Sequence, residues 1–230
     1  FGYLERPQMF NGYVNIANLF TKIKPRVFCL SEGIKKIYQV LMDIPEERLY
    51  ITPNGVNLSA FRFAEKPIFG DRSIYLAKVD YRKRQHLFQS IDSLYYAGNV
   101  ADDRFNKNKN YLGEWSKKHL YTNLTEYGNL VLLSDGEAHP LVCMEALAAG
   151  LGVVISEYAT ANLDTSKDFI TVIPENKIKD IEYVESEIIK NRDFSVGHRS
   201  DIIDYSHQFD WKETIKKYYI PSINKVLNHG

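Results

Sequence analysis

Residues 129–156 read NLVLLSDGEAHPLVCMEALAAGLGVVIS, and the order of apolar runs and breaks within them decides the fold class. NLVLL and GVVIS are apolar without polar alternation, the pattern of strands buried on both faces. Between them lies the polar stretch SDGEA. Pro140 then suits the first turn of a helix, where its missing N–H would have no acceptor, and Gly150 is a natural terminator. The spacing predicts a strand, a turn, a helix from about His139 to Ala149, and a second strand. Such a unit sets its two strands parallel.

Working outward, the same alternation begins at Ser73: strand (SIYLAKV), helix over Lys83–Asp92, strand (LYYAG), a loop, a short strand (YLG), and helix over Lys117–Glu126. Upstream, residues 1–24 read as aromatic-rich and irregular, and Arg26–Ser31 as a short strand. Ser31 reads as the N-cap of a helix to about Met42 that carries Ile34, Ile37, Tyr38 and Leu41 on one face. Strand Leu49–Thr52 precedes Pro53-Asn54-Gly55, a turn signature in which Asn and Gly supply unusual backbone angles. Downstream come three helical stretches, the last running from Trp211 to Leu227 with an interruption at Pro221. The expectation is an α/β fold, a Rossmann-like doubly wound parallel sheet. Ligands of such sheets bind at the carboxyl ends of strands, which directs attention to the turns after Val79, Leu133 and Ile155.

A chain of 230 residues, 44% hydrophobic, can bury a full core, and its formal net charge of zero gives no global electrostatic case for nucleic acid. An anionic ligand would have to be held locally. Cys29 and Cys143 each sit in an apolar run without the spacing of a zinc site or disulfide framework, which fits buried thiols in a reducing cytoplasm. No apolar run approaches the roughly 20 residues of a membrane span. The chain begins at Phe1 rather than Met, which suggests further sequence upstream.

Two acids flank the predicted helix start, Glu137 before it and Glu145 within it. Along a helix their separation is about 12 Å, against about 5 to 9.5 Å for the paired carboxylates of glycosidases. They suit two ends of one long polar ligand better than two sides of one bond. Amides near His139, Leu141 and Val142, at the positive end of the helix dipole, form a site for an anion or sugar hydroxyls. The second chemical segment is AKVDYRKRQH, 77–86, where Arg82, Lys83 and Arg84 open a predicted helix. Cations there oppose the dipole unless an anion such as a diphosphate lies nearby, although a solvated basic turn is the plainer reading. Tyr111, Leu112 and Trp115 could wall a base, with core packing as the alternative for each.

With these residues in hand, the chain resembles the group 1, or family 4, retaining glycosyltransferases of GT-B fold, over roughly Val27 to Ser156. ITPNGVNLSAF looks like that family's IPNGVD element followed by Phe, AKVDYRKRQ is similar to its GRxxxxKG element, and SDGEAHPLVCMEALAAGLGVV to its E-x7-E element. The resemblance implies that Lys78 and Lys83 hold a donor diphosphate, with Arg84 beside them. It implies that Glu137 and the amides near His139–Val142 hold the transferred sugar, and that Glu145 binds the ribose. A UDP- or GDP-sugar would be the donor, a glycan, lipid or protein hydroxyl the acceptor, and no metal or other cofactor would be obligatory. The location would be cytoplasmic, with peripheral attachment to a membrane as a variant. Ala77-Lys78 stands where the family has Gly-Arg, Arg84 where it has glycine, His139 where Phe is frequent and Pro140 where Gly is frequent. By the same resemblance, residues 1–52 correspond to the end of an acceptor domain, 53–210 to the nucleotide-sugar-binding domain of the C-terminal half, and 211–230 to a helix returning towards the former. A binding module without transfer activity, and a GT-B relative such as a sugar-nucleotide epimerase or a phosphorylase, are the alternative readings.

Overall fold

A computed structural model describes residues 7–228 of the chain. They form two compact units, one running to Gly55 and resuming at Trp211, the other spanning Val56–Asp210.

The first unit holds α1 (Pro7–Ile23), β1 (Val27–Cys29), α2 (Glu32–Met42) and β2 (Leu49–Ile51), with β1 and β2 parallel. Ser31 caps α2 as expected, its Oγ accepting from the Ile34 amide at 3.4 Å. Residues 7–23 are helical rather than irregular. Pro7 stands where a helix tolerates proline, and Ala17 and Phe20, three residues apart, reach the small core of Cys29, Met42, Ile44 and Leu49. Helical spacing was present there, hidden by asparagines and a glycine of low helix propensity. Asn54 and Gly55 do not take left-handed angles. Gly55 is required instead by close approach, since a Cβ there would lie 2.8 Å from the Trp211 ring. The C-terminal helix is not broken at Pro221. It runs as α7 (Trp211–Thr214), a π-helical turn over Ile215–Tyr219, and α8 (Ile220–Asn228). The wider turn just ahead of Pro221 makes room for a ring that would otherwise meet the preceding carbonyl, so the proline widens the helix instead of ending it.

The second unit is a five-stranded sheet of β3 (Phe69–Leu76), β4 (Leu94–Ala97), β5 (Tyr127–Leu132), β6 (Gly152–Ser156) and β7 (Ile170–Ile173), in the order β4-β3-β5-β6-β7. Every pairing is parallel. Its helices are α3 (Lys117–Asn123), α4 (Leu141–Ala148), α5 (Ile181–Gly197) and α6 (Arg199–Ser206). All residues of β5 and β6 are buried, which identifies a sheet covered on both faces. Asn129 on β5 donates to Ile188 O at 2.9 Å and Asn191 Oδ1 at 3.0 Å, fastening α5 to the strands. β7 adds an edge strand that sequence reading did not isolate. Tyr111 makes only a single bridge to Tyr96 in place of the expected short strand.

The largest departure lies after β3. In place of a helix over Lys83–Asp92 the chain makes a turn and one 3-10 segment, Gln85–Phe88. The Asp80 carboxylate accepts the amides of Arg82 and Lys83 at 3.0 and 3.1 Å, a local alternative to helical bonding. Arg84 then takes a left-handed angle, φ 58°. Arg82, Lys83 and Arg84 therefore do not open a helix, and the helix-dipole argument for an anion beside them does not apply.

Candidate active site

Strand order reverses direction between β3 and β5, so the loops leaving their carboxyl ends stand side by side, where ligands of doubly wound sheets bind. These loops are fastened by main chain and side chain together. The Asp135 amide donates to Arg82 O at 2.9 Å, and the Arg82 guanidinium donates to Gly136 O at 2.7 Å. Fully buried Tyr75 accepts the Leu133 amide at 2.8 Å and donates to Lys83 O. Burial pushes its hydroxyl well above the usual tyrosine range, so it stays a neutral bridge. Lys83 Nζ and Glu137 form an ion pair across the two loops. The Glu137 amide is itself tied to Tyr158 O, on the loop after β6, at 3.0 Å.

A cleft of about 530 Å³ opens at the carboxyl ends of β3 and β4, lined by Leu76, Ala77 and Lys78 after β3, Gly98 and Asn99 after β4, Trp115 and Leu120 on one wall, and Val142 and Glu145 of α4. The loops after β3 and β4 run together there, with the Val79 amide on Asn99 O and the Ala101 amide on Val79 O, both at 2.8 Å. Gly98 is at φ 148°, and a Cβ on it would fall 1.9 Å from Ala77 O, so only glycine lets the loops meet. Glu145 is 7% exposed and its carboxylate meets Lys117 Nζ at 2.5 Å. A cation, two carboxylates (Glu114 and Glu145), an aromatic ring and a helix start thus converge on one open-ended groove. A second cleft of about 550 Å³ lies between residues 65–70 and 196–201, away from the carboxyl ends.

Of the residues singled out in the sequence, Lys78, Val142 and Glu145 line the cleft, whereas Lys83 and Glu137 pair with each other and are not part of its lining. Helix α4 starts at Leu141, two residues later than expected, because Pro140 (φ −77°, ψ 73°) makes a tight turn in which the Leu141 amide donates to His139 O at 2.8 Å. That amide is therefore committed, and Val142 carries the first-turn N–H that helix geometry leaves without an intrahelical acceptor. His139 is buried, its Nε2 3.2 Å from Met144 Sδ, and burial holds the imidazole below its usual range, hence neutral. Arg84 points away to a bidentate pair with Glu175, at 2.7 and 2.9 Å. Tyr111 donates to Gly98 O at 3.0 Å and packs on Phe105, and neither it nor Leu112 borders the cleft. Trp115 does. Asn99, Glu114 and Lys117 went unnoticed in sequence, and no local pattern marks them. Burial pushes the thiol of Cys143 up, which leaves it inert on the buried face of α4.

A parallel sheet of this order, with a groove at the carboxyl ends of its strands, is the Rossmann-like fold of the GT-B glycosyltransferases. No family model matches the chain, and no curated protein does. Among solved structures it is similar to Anabaena HepE in complex with UDP and glucose (TM-score 0.72, 11% identity, 96% of this chain and 67% of that one). It is also similar to TarM (0.67, 13%, 91% and 45%). The same holds for WaaG, a glycosyltransferase involved in lipopolysaccharide biosynthesis (0.59, 14%, 83% and 62%). The chain spans less than half of TarM and less than two thirds of WaaG. At these identities the likeness is one of fold.

Proposed function

We propose that the chain is the donor-binding half, the C-terminal one, of a retaining glycosyltransferase that moves a hexose from a UDP- or GDP-sugar to a hydroxyl acceptor on a glycan, lipid or protein. The observation that carries this reading is the cleft at the carboxyl ends of β3 and β4, where Lys78, Trp115 and Glu145 converge. Trp115 and Leu120 offer a wall for the base, Glu145 accepts from the ribose diol, and Lys78 and Lys83 meet the diphosphate. Glu137 and the Val142 amide take hydroxyls of the transferred sugar. HepE, of the same fold, has been solved with UDP-glucose, which supports a nucleotide sugar as the ligand here.

As the bond from sugar to diphosphate breaks, negative charge grows on the leaving oxygens, and fixed cations lower the barrier by meeting that charge where it develops. Lys83 would exchange Glu137 for the diphosphate, which frees the carboxylate to accept from the sugar. The departing phosphate oxygen takes the proton of the attacking hydroxyl, on the face that gives retention. Lysines supply the positive charge, so this reading requires no metal, and it places the enzyme in the cytoplasm or at a membrane surface.

Calorimetric titration with UDP, GDP, ADP and their common sugar conjugates tests the assignment. One nucleotide should bind. Glu145→Ala should weaken that binding without abolishing it, Lys83→Ala should weaken the diphosphate at least tenfold more than the nucleoside, at a cost of about 1.4 kcal/mol or more, and Glu137→Ala should spare the nucleotide while losing discrimination for the attached sugar. Equal losses across all ligands would contradict the division of roles.

A further inference from the structure

Glu145 keeps 9% of its side chain exposed, and a carboxylate so far from water is costly unless a cation meets it. The cation is Lys117, whose Nζ lies 2.5 Å from Glu145 Oε1. Helix formation does not account for a lysine at that position. α3 opens on Lys117 and Lys118 with no acid in its first turn, although the helix dipole makes that end positive. Lys117 also lies 5.9 Å above the Tyr121 ring, so its ammonium is steadied from a second side. With 62% of its side chain exposed, the lysine keeps most of its own contact with water. What the contact fixes is direction. It ties the wall that carries Trp115 and Leu120 to α4, and it engages one carboxylate oxygen at the border of the cleft.

We propose that Lys117 is the positioning residue for the Glu145 carboxylate, holding one oxygen so that the other is presented to the ribose hydroxyls of a bound nucleotide. The inference rests on the donor-binding reading of the cleft and deepens it. A carboxylate on a flexible side chain samples several orientations, and a charge-assisted hydrogen bond to one oxygen removes most of them before the ligand arrives. Lys117 touches no reacting atom in this scheme, and its contribution appears only in ligands that carry the ribose diol.

The experiment compares UDP with 2′,3′-dideoxyuridine diphosphate, and the corresponding GDP and ADP pairs, by calorimetry on the wild-type chain, Lys117→Met, Lys117→Arg and Glu145→Ala. Lys117→Met should cost the ribonucleotide about tenfold in affinity and leave the dideoxy nucleotide unchanged. Lys117→Arg should restore most of the loss, and Lys117→Met added to Glu145→Ala should do no further harm. If the wild type discriminates ribose from dideoxyribose and Lys117→Met discriminates just as well, or weakens both ligands alike, the role of Lys117 is overturned while the ribose role of Glu145 stands. If the wild type binds no nucleotide, or binds both forms equally, the ribose site itself is refuted and the inference falls with it.

Discussion

Arg84 sits at φ 58°, a left-handed angle that costs a residue with a Cβ on the order of 1–2 kcal/mol. The angle is what turns the chain sharply after Lys83, and the bidentate pair with Glu175 is what holds it there. In the element that the sequence resembles, glycine stands at this place and takes such an angle without strain; this chain holds the angle with arginine and an ion pair. Arg84→Ala keeps the strain and loses the pair, whereas Arg84→Gly loses the pair and sheds the strain. Denaturant unfolding should rank glycine close to wild type and alanine about 1 kcal/mol below it. Alanine matching glycine would mean that the angle is not a burden. The sequence displayed three consecutive cations in this turn but not their partners, because Asp135, Glu137 and Glu175 come from two other loops. Proximity of that kind is a product of topology, and so is the meeting of Lys117 with Glu145.

At the scale of elements, β5, α4 and β6 could be read directly because their signals are local: uninterrupted apolar runs, a proline at a helix start and a glycine at its end. Where the deciding interaction was also short but less conspicuous, the reading failed. The Asp80 side chain captured two amides and replaced a helix by a turn. β7 is four residues long, too short to stand out between polar stretches. Pro221 reads in the sequence as a break, and the π-helical turn before it absorbs the ring. Gly55 looked like a turn residue when its reason is the indole of Trp211, 156 positions away in a chain whose two ends share a unit. Gly55→Ala should therefore destabilise that unit by about 1–3 kcal/mol through overpacking, read as a lower unfolding midpoint. A neutral outcome would show that the Trp211 ring retreats freely.

Across the whole molecule, neutrality is a sum of unlike parts. The unit made of residues up to 55 and from 211 carries 11 Lys and Arg against 6 Asp and Glu, and Val56–Asp210 carries 18 against 23, so a charge of +5 offsets one of −5. The groove with its lysines therefore belongs to the acidic unit, so the proposed donor site would attract an anion by placement rather than by net charge. Global stability should also depend on pH in a definite direction. Burial lowers the affinity of His139 for protons, and burial followed by the nearby Arg104 charge does so for His86. Below pH about 6.5 the unfolded chain binds protons that the folded chain resists. Stability from both groups is complete above that value and is lost as the pH falls through it. Unfolding measured at about pH 7.5 and about pH 5.5 should show the decline, and His139→Phe should remove part of it, leaving the share due to His86. A slope unchanged by the substitution would clear His139 of the effect.

Lys83 and Glu137 satisfy each other before any ligand arrives, and this mutual engagement has a selective consequence. A lone phosphate or chloride ion that drew the lysine away would leave a carboxylate stranded against its neighbours, so inorganic salts gain almost nothing by entering. A molecule that brings negative oxygens and hydroxyl donors together can satisfy both halves in a single exchange. On the proposed donor-site reading, rejection of the simple ions that surround every protein is in this way built into the pairing itself.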